Sequence, residues 1–332
     1  MIVFLSMVLG CTPGDYWYFR TDGVDLPVRV EGNLDSGVVL LMLHGGPGGS
    51  SVDYNLGLDT ELIEAEYAVA YYDQRGQGGT HGSYEISRYS VQQVADDNAN
   101  LVQALRARYG EDTSVWLYGH SWGGMLGTAT LLDTDADVDG WIESAGSHDY
   151  PLNDTYTAEM LAAVAAEELD AGGNGYKPEW SDIQRRVERI LEDGEISNNE
   201  SMSLNGMAFD AESYVDLAEG AYGDESVIGY LLRNPTARAT AWWSGLNGGY
   251  YLNEDAQTIS YTDRLDEIEV PSLFLYGDRD FVCPAPLGQD AYDRVSTDET
   301  AYIVYEDAGH SLMVNRPREY ANDLIEFVAT YR

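Results

Sequence analysis

The chain has 332 residues with an apolar content of 44%, enough to bury a large core in one domain or in two smaller ones. Its formal net charge at pH 7 is −39, and Lys177 is its single lysine. So acidic a chain excludes nucleic acid and anionic membrane surfaces as expected partners. The acidity indicates either adaptation to high salt, where ions screen like-charge repulsion, or an ordinary acidic exported protein, and the sequence favours neither.

The N-terminal stretch predicts export. Residues 1–10 are mostly apolar and end in Gly10 before Cys11, which resembles the end of a bacterial lipoprotein signal. In such a signal the cysteine is lipidated, so Cys11 is a candidate lipid anchor of a cell-envelope protein and residues 1–15 are assigned to the leader. The run is too short to span a bilayer. The alternative is that these residues form a buried first strand of a cytoplasmic protein. The two cysteines, Cys11 and Cys283, do not predict a disulfide framework.

The following residues predict alternating strands and helices. Alternation around Asp22-Gly23 predicts a hairpin over 17–31, and continuous apolar runs predict buried parallel strands. The strands are predicted at 38–43, 67–72, 115–118 and 138–143, and the helices between them at 91–109 and 122–132. This order predicts an α/β fold, with a mainly parallel sheet and helices on both faces.

The pattern changes between residues 147 and 261, which predict helices and no convincing strand. Helices are predicted at 157–171, 181–193, 210–222 and 226–233, the second opening with a capping box of Ser181 and Gln184. A helical block inserted into an α/β protein is typical of a cap. Strands at 272–276 and 301–305 and helices at 286–295 and 317–331 then resume the alternation. Residues 16–146 and 262–332 are therefore assigned to the core and 147–261 to the cap.

The candidate nucleophile is Ser121, within Gly119-His120-Ser121-Trp122-Gly123. A strand, a tight turn flanked by glycines and a helix form the context of a nucleophile elbow. In this turn the hydroxyl lies at the helix N-terminus, where free N–H groups favour a developing anion. A glycine-rich turn with a solvated serine is the alternative, so the interpretation depends on the partners of Ser121.

A serine nucleophile needs a base, and histidine suits this role because its pKa lies near neutrality. In this fold the order along the chain is serine, acid, histidine. His310 follows the last predicted strand and is the candidate base, whereas His148 lies at the entrance to the cap. The acid is expected in the loop after strand 272–276, where Asp278 and Asp280 compete. Asp280 is preferred because x-Val-x-Pro follows it, which matches the hydrolase pattern.

Two backbone N–H groups are expected to bind the oxyanion that forms during acyl transfer. One belongs to Trp122, the residue after the nucleophile. The other is assigned to Gly46 in the loop His44-Gly45-Gly46-Pro47-Gly48-Gly49, since glycine lets a substrate approach the backbone closely. No cofactor is expected, and the scattered histidines and cysteines show no metal-ligand spacing.

Together these motifs resemble the prolyl aminopeptidase (proline iminopeptidase) family of α/β-hydrolases. The resemblance is carried by the loop at 44–48, by Asp73-Gln74-Arg75-Gly76-Gln77-Gly78, by the elbow, and by the segments around Asp280 and Gly309-His310. It covers the core and not the cap. It implies an α/β-hydrolase fold and release of an N-terminal residue, often proline, from short peptides whose free amine is held by acidic cap residues. At 241–244 the sequence is Ala-Trp-Trp-Ser, with serine where the family has the glutamate of a Trp-Glu pair.

The leading hypothesis is a serine hydrolase that acts as an aminopeptidase on a short peptide or another small molecule. An esterase or lactonase with the same triad is the alternative, because a fold does not fix the substrate. A non-catalytic binding protein on the same fold is a third hypothesis, disfavoured by the presence of Ser121, Asp280 and His310. No prediction of the oligomeric state or of the substrate-binding cap residues follows from the sequence.

Overall fold

The computed structural model of the protein describes residues 14–55, 57–82, 85–220 and 249–332. Cys11, the helix predicted at 226–233 and the stretch 241–244 lie outside these ranges. Across the described ranges, no helix combines the length and the apolar character that crossing a membrane would demand.

A nine-stranded sheet lies at the centre of the described structure. Its strands are β1 (Asp15–Thr21), β2 (Val24–Gly32), β3 (Val38–Leu43), β4 (Ala68–Tyr72), β5 (His81–Gly82), β6 (Ser114–His120), β7 (Gly140–Ser144), β8 (Ser272–Gly277) and β9 (Thr300–Tyr305). The order across the sheet is β1-β2-β4-β3-β6-β7-β8-β9, with β5 paired to β2. The six strands from β4 to β9 along this order are mutually parallel, and β1 and β2 form the predicted hairpin. The predicted mainly parallel sheet is confirmed.

Nine helices have bounds in the described ranges: α1 (Leu58–Glu66), α2 (Val91–Tyr109), α3 (Trp122–Asp133), α4 (Tyr150–Ala171), α5 (Lys177–Asp193), α6 (Asn198–Glu212), α7 (Pro286–Arg294), α8 (Leu312–Asn315) and α9 (Pro317–Tyr331). Residues 249–256 are also helical. The bounds of α2 and α9 are those predicted. Helix α1 was not predicted, because of its three buried residues, Asp59, Thr60 and Ile63, only one is apolar.

Each buried strand contributes to two cores, because successive side chains point to opposite faces of the sheet. Within β3, Val39, Leu41 and Leu43 pack in the core shared with α2 and α3, whereas Val38, Leu40 and Met42 pack in the core shared with α1 and α9. Helices therefore cover both faces, as predicted. The sheet is buried on both sides, which explains why its strands are continuous apolar runs rather than alternating ones.

Between β7 and β8 the chain forms α4, α5 and α6, within the stretch assigned to the cap. Helix α4 begins seven residues before the predicted start because the Asp149 side chain caps it, accepting from the Leu152 N–H at 2.8 Å. Helix α5 begins at Lys177, and Ser181 lies inside it, donating to the Lys177 carbonyl. The predicted capping box of Ser181 and Gln184 is therefore wrong.

The helix predicted at 210–222 is also wrong over residues 213–220, and its last two residues lie outside the described ranges. Helix α6 ends at Glu212, and residues 213–220 contain no helix. Its N-terminus carries the real capping box, in which Ser197 accepts from the Glu200 N–H and Glu200 accepts from the Ser197 N–H. This helix was not predicted from 198 onward, because its first turns are polar. Its buried side packs on α4.

Candidate active site

Ser121 lies in the sharp turn between β6 and α3. Its φ of 57° and ψ of −122° fall in a region that L-residues rarely adopt, and such strain concentrates at functional sites. The flanking glycines are required by close contacts. A Cβ at Gly119 would lie 2.3 Å from the Gly123 carbonyl oxygen, and one at Gly123 would lie 2.0 Å from that of Leu43. The Gly-x-Ser-x-Gly sequence therefore forms the predicted elbow.

The three residues predicted to form a triad are brought together. His310 Nε2 lies 2.9 Å from Ser121 Oγ, and His310 Nδ1 lies 3.0 Å and 3.2 Å from the two carboxylate oxygens of Asp280. Asp280 is fully buried and His310 is 4% exposed. With its proton on Nδ1, a neutral His310 donates to Asp280 and accepts from the Ser121 hydroxyl, so it can take the serine proton.

The two candidate acids differ in their hydrogen-bond partners. Asp280 Oδ1 accepts from the Val282 and Cys283 N–H groups, at 2.9 Å and 2.8 Å, which holds the carboxylate against His310. Asp278 Oδ1 instead accepts from the Ala308 N–H at 3.3 Å. The x-Val-x-Pro sequence thus supplies the turn whose N–H groups orient the Asp280 carboxylate.

Burial and charge act in opposite directions on His310. Burial lowers its pKa, but the charge and hydrogen bond of Asp280, together with the charge of Glu212, outweigh burial and raise the pKa above its ordinary value. Glu212 is the last residue of α6 and was not found by the sequence analysis. No sequence signal marked it, since an acidic residue at a helix end is common in a chain this acidic.

His120, between the glycine and the serine of the elbow, connects three loops of the site. Its Nε2 donates to the His310 carbonyl oxygen at 2.9 Å, and its Nδ1 accepts from the Tyr54 hydroxyl at 2.8 Å. That hydroxyl accepts in turn from the Gly45 N–H at 2.9 Å. Burial, together with the charge that His310 carries when protonated, lowers the pKa of His120 to about 3. His120 is therefore neutral and joins the glycine loop to the histidine loop.

Gly46 and Trp122, the predicted oxyanion donors, line the same cavity as Ser121. Within the described part of the chain, neither backbone N–H has an acceptor. The loop that carries Gly46 is held in place by hydrogen bonds to side chains of the Asp73–Gly78 motif. Gln77 Oε1 accepts from the Gly48 N–H at 2.6 Å, and Gln74 Nε2 donates to the His44 carbonyl oxygen at 2.8 Å.

The charged residues of that motif, Asp73 and Arg75, are occupied by hydrogen bonds and an ion pair within the core. Asp73 Oδ1 accepts from the Ser51 N–H at 2.8 Å and from the Ser50 hydroxyl at 2.9 Å. Arg75 forms a fully buried bidentate ion pair with Asp97, at 2.8 Å and 2.7 Å. Such a pair is strongly destabilising to break, because it would leave a buried charge uncompensated.

The cavity at Ser121 has a volume of about 340 Å³ and is lined from the cap side largely by polar residues. Asp154 is the one charged side chain that lines it within the described residues. Ser201 Oγ donates to Asp154 Oδ1 at 2.9 Å, but burial dominates and raises the pKa of Asp154 to about 6. The adjacent Asn153 also lines the cavity, and its Oδ1 accepts no hydrogen bond from the described residues.

His148 and the Cys283 thiol have no proposed role in the reaction, although Cys283 lines the cavity and its N–H donates to Asp280. His148 is buried and its Nε2 lies 3.1 Å from Asp290 Oδ2, so it takes no part in the arrangement around Ser121. The Cys283 thiol is buried, and burial together with nearby carboxylates raises its pKa well above the usual range. This agrees with the interpretation of Cys283 as a small buried apolar residue.

Comparison with known proteins gives relatives of similar length. The chain is 25% identical to a probable aminopeptidase, YbaC of Bacillus subtilis, over 86% of this chain and 87% of that protein. It is 24% identical to the proline iminopeptidase of Lactobacillus delbrueckii subsp. lactis, over 90% and 93%. The sequence resemblance to the prolyl aminopeptidases is thereby confirmed.

Solved structures show the same fold at lower identity. The proline iminopeptidase of Mycobacterium smegmatis superposes with a TM-score of 0.64 at 17% identity, covering 96% of this chain and 98% of the other. An esterase from Exiguobacterium antarcticum superposes with a TM-score of 0.60 at 18% identity, covering 95% and 99%. The family model described as alpha/beta hydrolase fold matches residues 38–317. With this match over most of its length, the chain belongs to the alpha/beta hydrolase fold family.

Proposed function

We propose that the protein is a serine hydrolase with Ser121 as nucleophile, His310 as general base and Asp280 as the acid that orients His310. The observation that carries the proposal is a chain of hydrogen bonds that runs from Ser121 Oγ through the His310 ring to the Asp280 carboxylate. Ser121 itself lies in a strained turn. A serine with only a structural role would not require a buried imidazole beside it whose second nitrogen contacts a carboxylate.

The reaction follows from these contacts. Ser121 Oγ attacks the substrate carbonyl carbon while its proton passes to His310 Nε2, and Asp280 stabilises the imidazolium. The Gly46 and Trp122 N–H groups bind the oxyanion. As the intermediate collapses, His310 returns the proton to the leaving amine or alcohol. His310 then deprotonates a water molecule that hydrolyses the acyl-serine and regenerates the enzyme.

We propose an aminopeptidase as the specific activity, with Asp154 as the partner of the substrate's free amine. A buried ammonium group is costly unless a carboxylate meets it, and Asp154 is the charged side chain that the described part of the cavity offers. Its pKa of about 6 and the usual value near 8 for an α-amino group leave both groups charged between about pH 6 and 8. The aminopeptidase relatives support the same substrate class.

The test compares an aminoacyl arylamide with its N-acetylated form, which carries no charge. We expect cleavage of the first only. Asp154→Asn should lower kcat/KM on the free-amine substrate by about 30-fold, or about 2 kcal/mol, because it removes the charge that meets the ammonium. The matched control is Asp170→Asn, which removes an exposed carboxylate of the same helix and should leave kcat/KM unchanged.

Ser121→Ala should abolish both turnover and labelling by a fluorophosphonate. Labelling that persists in this variant would place the nucleophile elsewhere. Equal rates on the free and acetylated substrates would instead favour the alternative, an esterase or lactonase with the same triad, which the superposition on an esterase supports. Absence of labelling in the wild type would favour a non-catalytic binding protein.

We also propose export with lipid attachment at Cys11, on the basis of the apolar run that precedes it. Mass spectrometry of protein from its native host tests this, with a lipidated N-terminal cysteine as the expected result. A mature chain that retains Met1 and carries no lipid would contradict it.

A further inference from the structure

Glu212 reaches from the end of α6 to the loops that carry His310 and Asp280. Its Oε1 accepts from the Phe281 N–H at 3.2 Å and from the His310 N–H at 3.1 Å, and its Oε2 also lies 3.1 Å from the His310 nitrogen. Gly309 leaves the space for this approach, since a Cβ there would lie 2.6 Å from Glu212 Oε2. One carboxylate thus holds the backbone beside both triad partners of Ser121.

This position is electrostatically unfavourable for an anion. Glu212 is partly buried, lies at a helix C-terminus, where the helix dipole disfavours negative charge, and faces a second carboxylate. Burial, together with the charge of Asp280, raises its pKa to about 7. The ionisable groups that face it are Asp280, His310 and the Cys283 thiol, and the thiol stays neutral. Of these, His310 alone can become positively charged.

Among the described groups that face Glu212, only the imidazolium of His310 can place an opposite charge beside its carboxylate. We propose that Glu212 is a positioning residue for His310, a second carboxylate that holds the histidine loop from the cap and stabilises the imidazolium created when Ser121 attacks. The proposal rests on the proposed serine-hydrolase function. The proton moves from Ser121 Oγ to His310 Nε2 as the bond from Oγ to the carbonyl carbon forms. The resulting charge then lies between Asp280 and Glu212.

A purely structural Glu212 would act only as an acceptor for two backbone N–H groups, and Glu212→Gln separates the two roles. The glutamine oxygen can still accept from both N–H groups, but the charge is gone. Removing a nearby negative charge lowers the pKa of His310, so the base stays unprotonated to lower pH. The acid limb of the pH profile should therefore move to lower pH by about 1 unit. The plateau rate should fall about three- to tenfold, because the imidazolium is less stabilised.

The readout is the pH dependence of inactivation by a fluorophosphonate and of kcat and KM on a simple phenyl ester, neither of which requires the proposed amine site. KM should change little while kcat falls. Asp210→Asn is the matched control, since it removes an exposed carboxylate two residues away on the same helix and should leave the profile as in the wild type. Glu212→Asp keeps the charge and should keep the midpoint of the acid limb close to that of the wild type.

A second measurement uses the wild type alone, so the test does not depend on the folding of the variant. Protonation of either Glu212 or His310 lowers the pKa of the other, because it removes the negative charge or adds the positive charge of the pair, so the acid limb should extend over a wider pH range than for one proton. A one-proton limb, or a Glu212→Gln profile that matches the wild type, would overturn the role of Glu212 and leave the serine hydrolase standing. Absence of wild-type labelling at Ser121 would overturn the proposed function, and the role of Glu212 with it.

Discussion

The tautomer of each histidine in the site follows from its neighbours. His120 donates from Nε2 because it faces the carbonyl oxygen of His310, and its buried, uncharged Nδ1 accepts from Tyr54. His310 donates from Nδ1 because it faces Asp280, which leaves Nε2 free to accept from Ser121. Two histidines with ring centroids 4.8 Å apart therefore have opposite tautomers and different tasks.

The choice of acid can be tested at the same scale. In Asp280→Asn the amide oxygen can still accept from Val282 and Cys283, so the amide NH₂ faces the Nδ1–H of His310. Two donors conflict, and the imidazole is driven to the tautomer that cannot accept the serine proton. We expect kcat to fall by about 10⁴-fold.

The control for this prediction is Asp278→Asn, which retains an acceptor for the Ala308 N–H and should cost little activity. The kcat values of both variants on one ester substrate provide the comparison. A larger loss in Asp278→Asn than in Asp280→Asn would show that the acid is misassigned.

Among the elements of the fold, the junction of β6 and α3 is closely packed against β3. Helix α3 lies so close to β3 that Gly123 has no space for a side chain, with the Leu43 carbonyl oxygen only 2.0 Å from an ideal Cβ. This packing places the first turn of α3, with the free N–H of Trp122, beside Ser121. The glycine of the motif is thus a packing requirement of two elements as much as a property of the turn.

The same substitution in two helices should therefore have opposite effects. Gly123→Ala should lower the free energy of unfolding by about 2 kcal/mol or more, because the helix must move away from β3. Gly206→Ala, in the exposed part of α6 with no atom within 4 Å of the added Cβ, should raise it by about 0.5–1 kcal/mol through helix propensity. Urea unfolding of the two variants measures both changes, and equal effects would contradict the packing argument.

For the molecule as a whole, the cavity at Ser121 is built from both parts of the chain. Gly46, Ser121 and Trp122 come from loops at the carboxyl ends of parallel strands, where ligands bind in α/β sheets. Asn153 and Asp154 come from α4, within the assigned cap. The residues proposed for the reaction therefore follow strands of the sheet, and substrate selection is expected to depend on the inserted helices. The net charge of −39 is distributed over the chain and does not define this site.

The sequence by itself predicted most of the sheet, most of its flanking helices and the three residues that we propose as the triad. Buried parallel strands are continuous apolar runs, so the strands at 38–43 and 272–276 were predicted from the sequence, and the second one continues to Gly277. Ser121, His310 and Asp280 lie in local motifs, because the elbow and the acid turn need particular residues within a few positions of the reactive one. Such local requirements leave a readable pattern.

Only the tertiary structure brought forward the two distant residues to which we assign roles. Glu212 lies 98 positions before His310 in the chain, and Asp154 lies 33 positions after Ser121. Neither stands out in the sequence, because the chain has 57 aspartate and glutamate residues. The start of α4 was likewise misplaced, since the Asp149 side chain that caps the helix leaves no periodic pattern in the sequence. A long-range contact leaves no spacing in the sequence, because the residues that make it are brought together only when the inserted helices pack against the sheet.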